Sequence, residues 1–429
     1  MKHTDDQKEI LKALNGNNNL FITGSAGAGK SYIIQKFYEN TTKNVALCAT
    51  TGIAALNLGG ETVHRFLGLG IATRPEEISK IVGKWRKIKT SKLPWDKQRW
   101  KIMASIDTIV IDEVSMLRRD QFELIDAVLS GIRENNLPFG GYQIVLVGDL
   151  LQLPPVVSDF DLEKYEDLQN PYCFQSDIWK FGKFHSYNLT CNYRQDEGNF
   201  LSALELIRKG QITDEIDSML SARLNAKLNT DLKPVKLFPH KYKVEEENLT
   251  KLDELPDEKL MSKATLTGKE YDIGLLKKDC PAEEYLHYCK DAQIVMLTNN
   301  HEGFWVNGTL GIIKSTDPLI VKLSSGVEIE VEKYTWERSI HTLNGKELST
   351  KVVAKLTQYP FKLSWATTIH RCQGITLDFV EVDLSNCFAA GQGYTALSRV
   401  KTLEGLTLTG WNKKSIMANK AVLDFYGFK

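Results

Sequence analysis

Residues 24 to 31 read GSAGAGKS: glycine, four free positions, glycine, lysine and serine. With Gly24, Gly27 and Gly29 bare of side chains, and Ser25, Ala26 and Ala28 small, the backbone N–H groups of such a loop can close around phosphates. Lys30 would reach the β- and γ-phosphates and Ser31 would hold Mg²⁺, with a helix N-terminus adding its partial positive charge. The loop needs a strand before it and a helix after it, and the flanks supply both: Leu20, Phe21 and Ile22 are apolar, and Ser31 to Asn40 reads as a helix. The stretch is a nucleoside triphosphate site.

Two further strand ends carry chemistry. TIVIDEVSM (108 to 116) places adjacent carboxylates after an apolar run. Asp112 would join the Mg²⁺ shell and Glu113 would take a proton from attacking water. QIVLVGDLLQLPPV (143 to 156) places Asp149 and Gln152 so that a side-chain amide can sense the γ-phosphate, although spacing alone does not make Gln152 catalytic.

The elements that must position these groups alternate strand and helix. Leu20 to Thr23, Val45 to Ala49, Thr108 to Ile111 and Gln143 to Val147 each end in a site-like loop, the C-terminal edge at which parallel α/β sheets bind ligands. A second α/β unit begins near residue 192, with helix 199–209, strand 235–238, an acidic helix from Val244, strand 293–298, a helix over WATTIHRCQG (365 to 374) and strand FVEVDL. Between them, 303–359 changes to short alternating runs that suggest a small β-barrel insertion.

Length and composition agree with several cores in one chain. At 429 residues, 42% hydrophobic and 25% charged, the sequence is neither disordered nor membrane-spanning, having no apolar run near the ~20 residues a span requires. The N-terminus has neither a signal-peptide core nor a transit-peptide look, so a cytoplasmic place is expected. Seven cysteines without a CxxC pair support neither disulfides nor zinc. The 54 basic and 54 acidic residues cancel, so a nucleic-acid groove must arise from local segregation. From Ser79 to Lys101 nine basic residues, Lys80, Lys84 and Lys87 among them, face one acid, Asp96, with Trp85, Trp95 and Trp100 interleaved. Ile78, Ile81, Val82, Trp85 and Ile88 recur at helical spacing, which predicts a buried face opposite those lysines.

GSAGAGKS, TTGIAALNLGGETVHRF (50 to 66), IDEVSM, VGDLLQLPPV, LTCNYRQ (189 to 195), WATTIHRCQGITLDFVEVDL (365 to 384) and GYTALSRVKTLEGL (393 to 406) occur in the order and phrasing of superfamily-one helicases. Over nearly the whole chain the sequence resembles the petite-integration-frequency (PIF) type of 5′→3′ DNA helicase. The resemblance implies ATP as substrate with Mg²⁺, single-stranded DNA and single-strand/duplex junctions as partners, a monomeric motor, and roles in replication, repair, recombination and telomere maintenance. It also implies two RecA-like domains: 1–60 with 102–191, and 192–302 with 360–429. Residues 61–101 would be an inserted strand-separating wedge, and 303–359 an SH3-like β insertion.

By position, the resemblance makes Gln7 the adenine-reading residue and places Gln373 and Gly374 beside the nucleotide. Arg194 and Arg399 become the arginines that approach the γ-phosphate from the second domain. Thr51, Gly52, His64, Thr368 and His370 fall on strand-binding motifs, although a lone histidine is ordinarily structural. Phe304 and Trp305 are bulky where smaller apolar residues are expected, and packing suits them better than base stacking. A RecD-like or RNA-directed relative remains an alternative, as does a nucleotide-switched binding protein; Glu113 and the two arginines argue against the last.

Overall fold

The computed structural model describes residues 4–69, 75–157, 161, 171–191, 198–228, 232–238, 241–300, 302–369, 375–385, 387 and 389–428. The first unit is built on six parallel strands: β1 (Leu20–Gly24), β2 (Val45–Ala49), β3 (Glu61–Thr62), β4 (Thr108–Asp112), β5 (Gln143–Val147) and β6 (His185–Leu189), in the order β3-β2-β4-β5-β1-β6. The inner strands are buried throughout, and their alternate residues enter two different cores. Phe21, Ala46, Ile109, Ile111, Ile144 and Leu146 face one side, with Phe122, Ile125 and Leu129 of the helix Arg119–Arg133. Leu20, Ile22, Leu47, Val110, Val145 and Val147 face the other, with Ile10 and Leu14 of the helix Asp5–Leu14 and Ile33, Ile34 and Phe37 of the helix Lys30–Asn40. Near-continuous apolar strands are what two helical covers demand.

Between β3 and β4 the basic stretch forms two helices, Pro75–Thr90 and Pro94–Ser105. Ile81, Val82 and Trp85 are buried in the first core, while Lys80, Lys84 and Lys87 are exposed. The helical periodicity therefore reads correctly on both faces.

The second unit is a four-stranded parallel sheet in the order 366–368, 235–238, 380–383, 406–410. Here the helix expected over 365–374 is corrected: Ala366–Thr368 is a strand paired with Lys236–Phe238. Its threonines are β-branched and all three residues are buried, which favours a covered edge strand over a helix. Residues 370–374 of that stretch lie outside the described residues.

The strand Gln293–Met296 also departs from its assigned unit. It pairs antiparallel with Leu310–Thr316 and Phe361–Leu363, so it belongs to the five-stranded antiparallel sheet of the insertion rather than to the parallel one. The rest of the insertion is a long hairpin, Tyr334–Asn344 with Glu347–Gln358, which also pairs with Thr265–Gly268. That hairpin reaches the first unit. Leu47 N–H donates to His341 Nε2 at 3.2 Å, His341 N–H donates to Glu61 Oε1 at 3.4 Å, and Gln98 Nε2 donates to Thr342 Oγ1 at 2.8 Å.

The last correction concerns the C-terminal segment. The helix Lys420–Tyr426 packs on the first unit, with Val422 in its core and Phe425 stacked on Phe174 at 4.4 Å and edge-on to Trp179 at 5.5 Å. Its apolar face matches the ring cluster beside β1, not the second sheet. Phe304 is 51% exposed, against the expectation of packing, whereas Trp305 does pack against the insertion's core. No helix among the described residues is long and apolar enough to cross a membrane.

Candidate nucleotide site and strand-binding edge

The C-terminal ends of β1, β4 and β5 are neighbours in the sheet, so the groups that follow them converge. Gly24 ends β1, Ser25, Ala26, Gly27, Ala28 and Gly29 form the loop, and the helix begins at Lys30. Lys30 Nζ donates to Gly24 O at 2.8 Å and Ser25 O at 2.9 Å. Burial lowers the pKa of its ammonium, against the attraction of Asp149, Glu113 and Asp112. Ser31 Oγ donates to Asp112 Oδ2 at 3.2 Å, so the hydroxyl and carboxylate oxygens suited to a hard cation stand side by side. The other carboxylate oxygen of Asp112 accepts from Glu113 N–H at 2.8 Å. Burial raises the Asp112 carboxyl above its ordinary value, opposed by that N–H, by Lys30 and by Ser31.

The loop after β5 is tied to both units. Asp149 is fully buried; its oxygens accept from Leu151 N–H at 3.2 Å and Gln152 Nε2 at 3.5 Å. Three contacts of 2.8 to 3.2 Å join it to Arg208, the last residue of the helix Asn199–Arg208 of the second unit. Burial alone would raise the Asp149 carboxyl, but Arg208 and Lys30 outweigh it and hold the carboxyl below its usual range.

Three residues that the sequence did not single out complete this junction. Ala26 N–H donates to Tyr394 Oη at 3.0 Å, a contact from the phosphate loop to the helix Gln392–Leu397 of the second unit. Tyr426 Oη meets Thr23 Oγ1 at 2.7 Å and accepts from Leu150 N–H at 3.3 Å. Arg208 is the third. Tyr394 stands inside the quoted GYTALSR; the arginine's signal was its place four residues after Leu204 and eight after Phe200, on the apolar stripe of NFLSALELIR.

Arg399 follows the same helix, is almost wholly buried, and donates through Nε to Thr395 O at 2.9 Å and through Nη2 to Ser398 Oγ at 2.8 Å. Gln7 is buried and caps the first helix, its Oε1 accepting from Thr4 N–H at 3.2 Å. Arg194, His370, Gln373 and Gly374 lie outside the described residues.

The residues expected on the strand-binding motifs are divided between the two units. Thr51 caps the helix Gly52–Leu58, its Oγ1 accepting from Ala54 N–H at 3.3 Å. Gly52 is pressed against Asp279 of the second half, whose carboxylate also pairs with Arg65 at 2.7 Å. His64 lines a cavity of about 670 Å³ with Arg65, Trp85, Arg99, Tyr271 and His341. Burial lowers its imidazole pKa, with Asp120 pulling the other way. Thr368 is buried at the end of its strand, beside Phe238.

A phosphate loop, a strand-end carboxylate pair and a second parallel sheet seated against that loop define a two-unit nucleoside triphosphatase of the RecA-like kind. Residues 2–219 match the model of the PIF1-like helicase family, and the chain belongs to that family. It is 34% identical over 424 residues to the ATP-dependent DNA helicase Pif1 of Bdellovibrio bacteriovorus, covering 98% of this chain and 91% of that one. Against human PIF1 the identity is 32% over 432 residues, covering 99% of this chain and 63% of the human protein. Among solved structures, Bacteroides sp Pif1 in complex with ADP-AlF4 superposes with a TM-score of 0.88 at 31% identity, covering 100% of this chain and 97% of that one. Bacteroides Pif1 bound to single-stranded DNA superposes at 0.65 and 30%, with the same coverage.

Proposed function

We propose that this chain is an ATP-driven motor that moves 5′→3′ on single-stranded DNA and separates the duplex ahead of it, hydrolysing ATP in the cleft between its two parallel-sheet units. It is an ATP-dependent DNA helicase. The observation that carries the reading is the contact of both units with one phosphate loop, Lys30 and Ser31 from the first and Tyr394 from the second.

In this reading the loop N–H groups and Lys30 hold the β- and γ-phosphates, and Gln7 faces the adenine. Ser31 and Asp112 fit Mg²⁺, which would supply charge neutralisation between the β- and γ-oxygens. Glu113 accepts the proton of the attacking water, and Gln152 aligns that water with the γ-phosphate. Arg194 and Arg399 neutralise charge that spreads over the equatorial oxygens in the transition state, which makes turnover depend on closure of the second unit. Thr51, Gly52, His64, Thr368 and His370 hold the strand, chiefly through its phosphates and one stacked base. The exposed Lys80, Lys84 and Lys87 add a phosphate track on the helical wedge of 61–101. Two coordinating Pif1 helicases are described at forked duplex DNA for a solved relative; this chain is read as a motor whose single copy holds the complete cleft.

The test is unwinding of partial duplexes with a 5′ or a 3′ single-stranded tail, alongside ATP hydrolysis with and without single-stranded DNA. Opening of the 5′-tailed substrate and DNA-stimulated hydrolysis are expected. Efficient opening of the 3′-tailed substrate alone would reverse the polarity.

A further inference from the structure

The buried pair Asp149–Arg208 joins the two units through a carboxylate to which the chemistry above gives no part. Arg208 spans both oxygens of Asp149: Nη2 and Nε lie 2.8 and 3.2 Å from Oδ1, and Nε lies 3.1 Å from Oδ2. Both side chains are almost wholly out of water, at 0% and 5% exposure. Such a pair is a poor device for stability alone, because desolvation of two charges offsets most of their attraction. Its surroundings suggest a different use. Lys30 and Asp149 follow the neighbouring strands β1 and β5, where the Asp149 charge favours the Lys30 ammonium and both Arg208 and Lys30 favour the Asp149 carboxylate.

The two cations belong to different bodies. Lys30 is fixed to the phosphate loop of the first unit. Arg208 ends a helix whose Phe200, Ala203, Leu204 and Ile207 are built into the second core, so it travels with that unit. Here, with Arg208 on Asp149, the Lys30 ammonium is turned to the loop carbonyls of Gly24 and Ser25. Separation of the units would take Arg208 away and leave the Asp149 charge to Lys30.

We propose that Arg208 and Lys30 are alternative counter-ions of Asp149: closure puts Arg208 on the carboxylate and frees Lys30 for phosphate, and opening gives the carboxylate to Lys30 and expels the spent nucleotide. Asp149 and Arg208 are then positioning residues that act through Lys30. The inference rests on the nucleotide site proposed above. Glu205, 3.5 Å from Arg208 Nη1 on the same helix, travels with the arginine, whereas Tyr426, whose ring centroid lies 5.7 Å from the guanidinium carbon, sits on the first unit and meets Arg208 only in the closed arrangement.

An exchange and a structural ion pair give opposite signs for one variant. In the full chain, titration with N-methylanthraniloyl-ADP and stopped-flow release read the affinity and the off-rate. Arg208→Gln leaves Asp149 to Lys30 and weakens binding by about tenfold; Asp149→Asn removes the competitor and tightens binding by about threefold, with release slowed to match. Arg208→Lys, which keeps the charge but loses the fork that spans both Asp149 oxygens, falls between wild type and Arg208→Gln. If the pair merely holds the fold together, breaking it from either side weakens binding, and that result overturns the exchange. Should Arg208→Gln not fold, the sign of the Asp149→Asn effect decides by itself. A wild-type chain that fails to bind the probe overturns the nucleotide reading and this inference with it, whereas a wild-type chain that binds, with Asp149→Asn shifted to weaker affinity, overturns the exchange alone.

Discussion

Replacing Gly391 by alanine strikes the seam between the units at a single atom. Gly391 caps the helix Gln392–Leu397 with φ +74°, and a Cβ built there would lie 2.2 Å from Gln152 O and 2.6 Å from Leu151 O. Ordinary contact begins near 3.4 Å, so the helix and the loop after β5 must part by about 1.2 Å. The left-handed backbone adds a strain of roughly 1–2 kcal/mol for a residue with a side chain. A displacement of about 1 Å at a reacting centre costs on the order of 10²-fold in rate. Gly391→Ala is therefore expected to lower DNA-stimulated ATP hydrolysis by about 10²-fold while moving the melting temperature by only a few degrees. Gly345→Ala in the hairpin turn is the control. Gly345 has φ +67° with nothing near its missing Cβ, so it incurs the same strain without the collision and should hydrolyse ATP at the normal rate. Steady-state hydrolysis with saturating single-stranded DNA and thermal melting read both variants. A Gly391→Ala protein with wild-type turnover would show that the seam does not set the catalytic geometry.

Lys30→Ala should abolish hydrolysis, whereas Arg399→Ala should keep most nucleotide affinity and lose ~10³-fold in turnover; equilibrium binding and turnover measured on the same preparation separate the two. Changing Lys80, Lys84 and Lys87 together to alanine should flatten the log–log salt dependence of single-strand binding by up to about 2, three contacts at ~0.7 each, and impair unwinding more than saturated hydrolysis. An unchanged slope would leave the stretch a solvated helix. For Glu61, burial favours the neutral carboxyl, but His341 and Arg338 outweigh it and hold the pKa below 4.5. Its stabilising contribution is therefore present above about pH 4.5 and lost as the pH falls through the lower folded value, so Glu61→Gln should narrow the drop in melting temperature between about pH 6 and pH 3. An equal drop in the variant would remove Glu61 from the acid transition.

What the sequence disclosed was local. Strand, loop and helix around Lys30, the carboxylates ending β4 and the two faces of the helix Pro75–Thr90 are each written within a dozen residues, where periodicity and glycine placement suffice. The misassigned pieces depend on partners far along the chain. Gln293–Met296 is apolar in either sheet, and only its pairing with Phe361–Leu363 decides between them. Ala366–Thr368 sits in a run whose length suits a helix, until burial beside Val235–Phe238 selects the strand. Arg208 and Tyr426 gave no cue to their partners, because what they meet, Asp149 and Thr23, lies 59 and 403 residues away.

The helix Lys420–Tyr426 finishes a core whose other walls are made hundreds of residues earlier. Phe425 and Val422 cover the rings of Phe21, Phe174 and Trp179, so a growing chain leaves that aromatic face bare until the helix Lys420–Tyr426 emerges. The first unit is thus sealed only after the second has been made, and a fragment cut after β6 would carry the open ring surface that makes folding intermediates prone to aggregate.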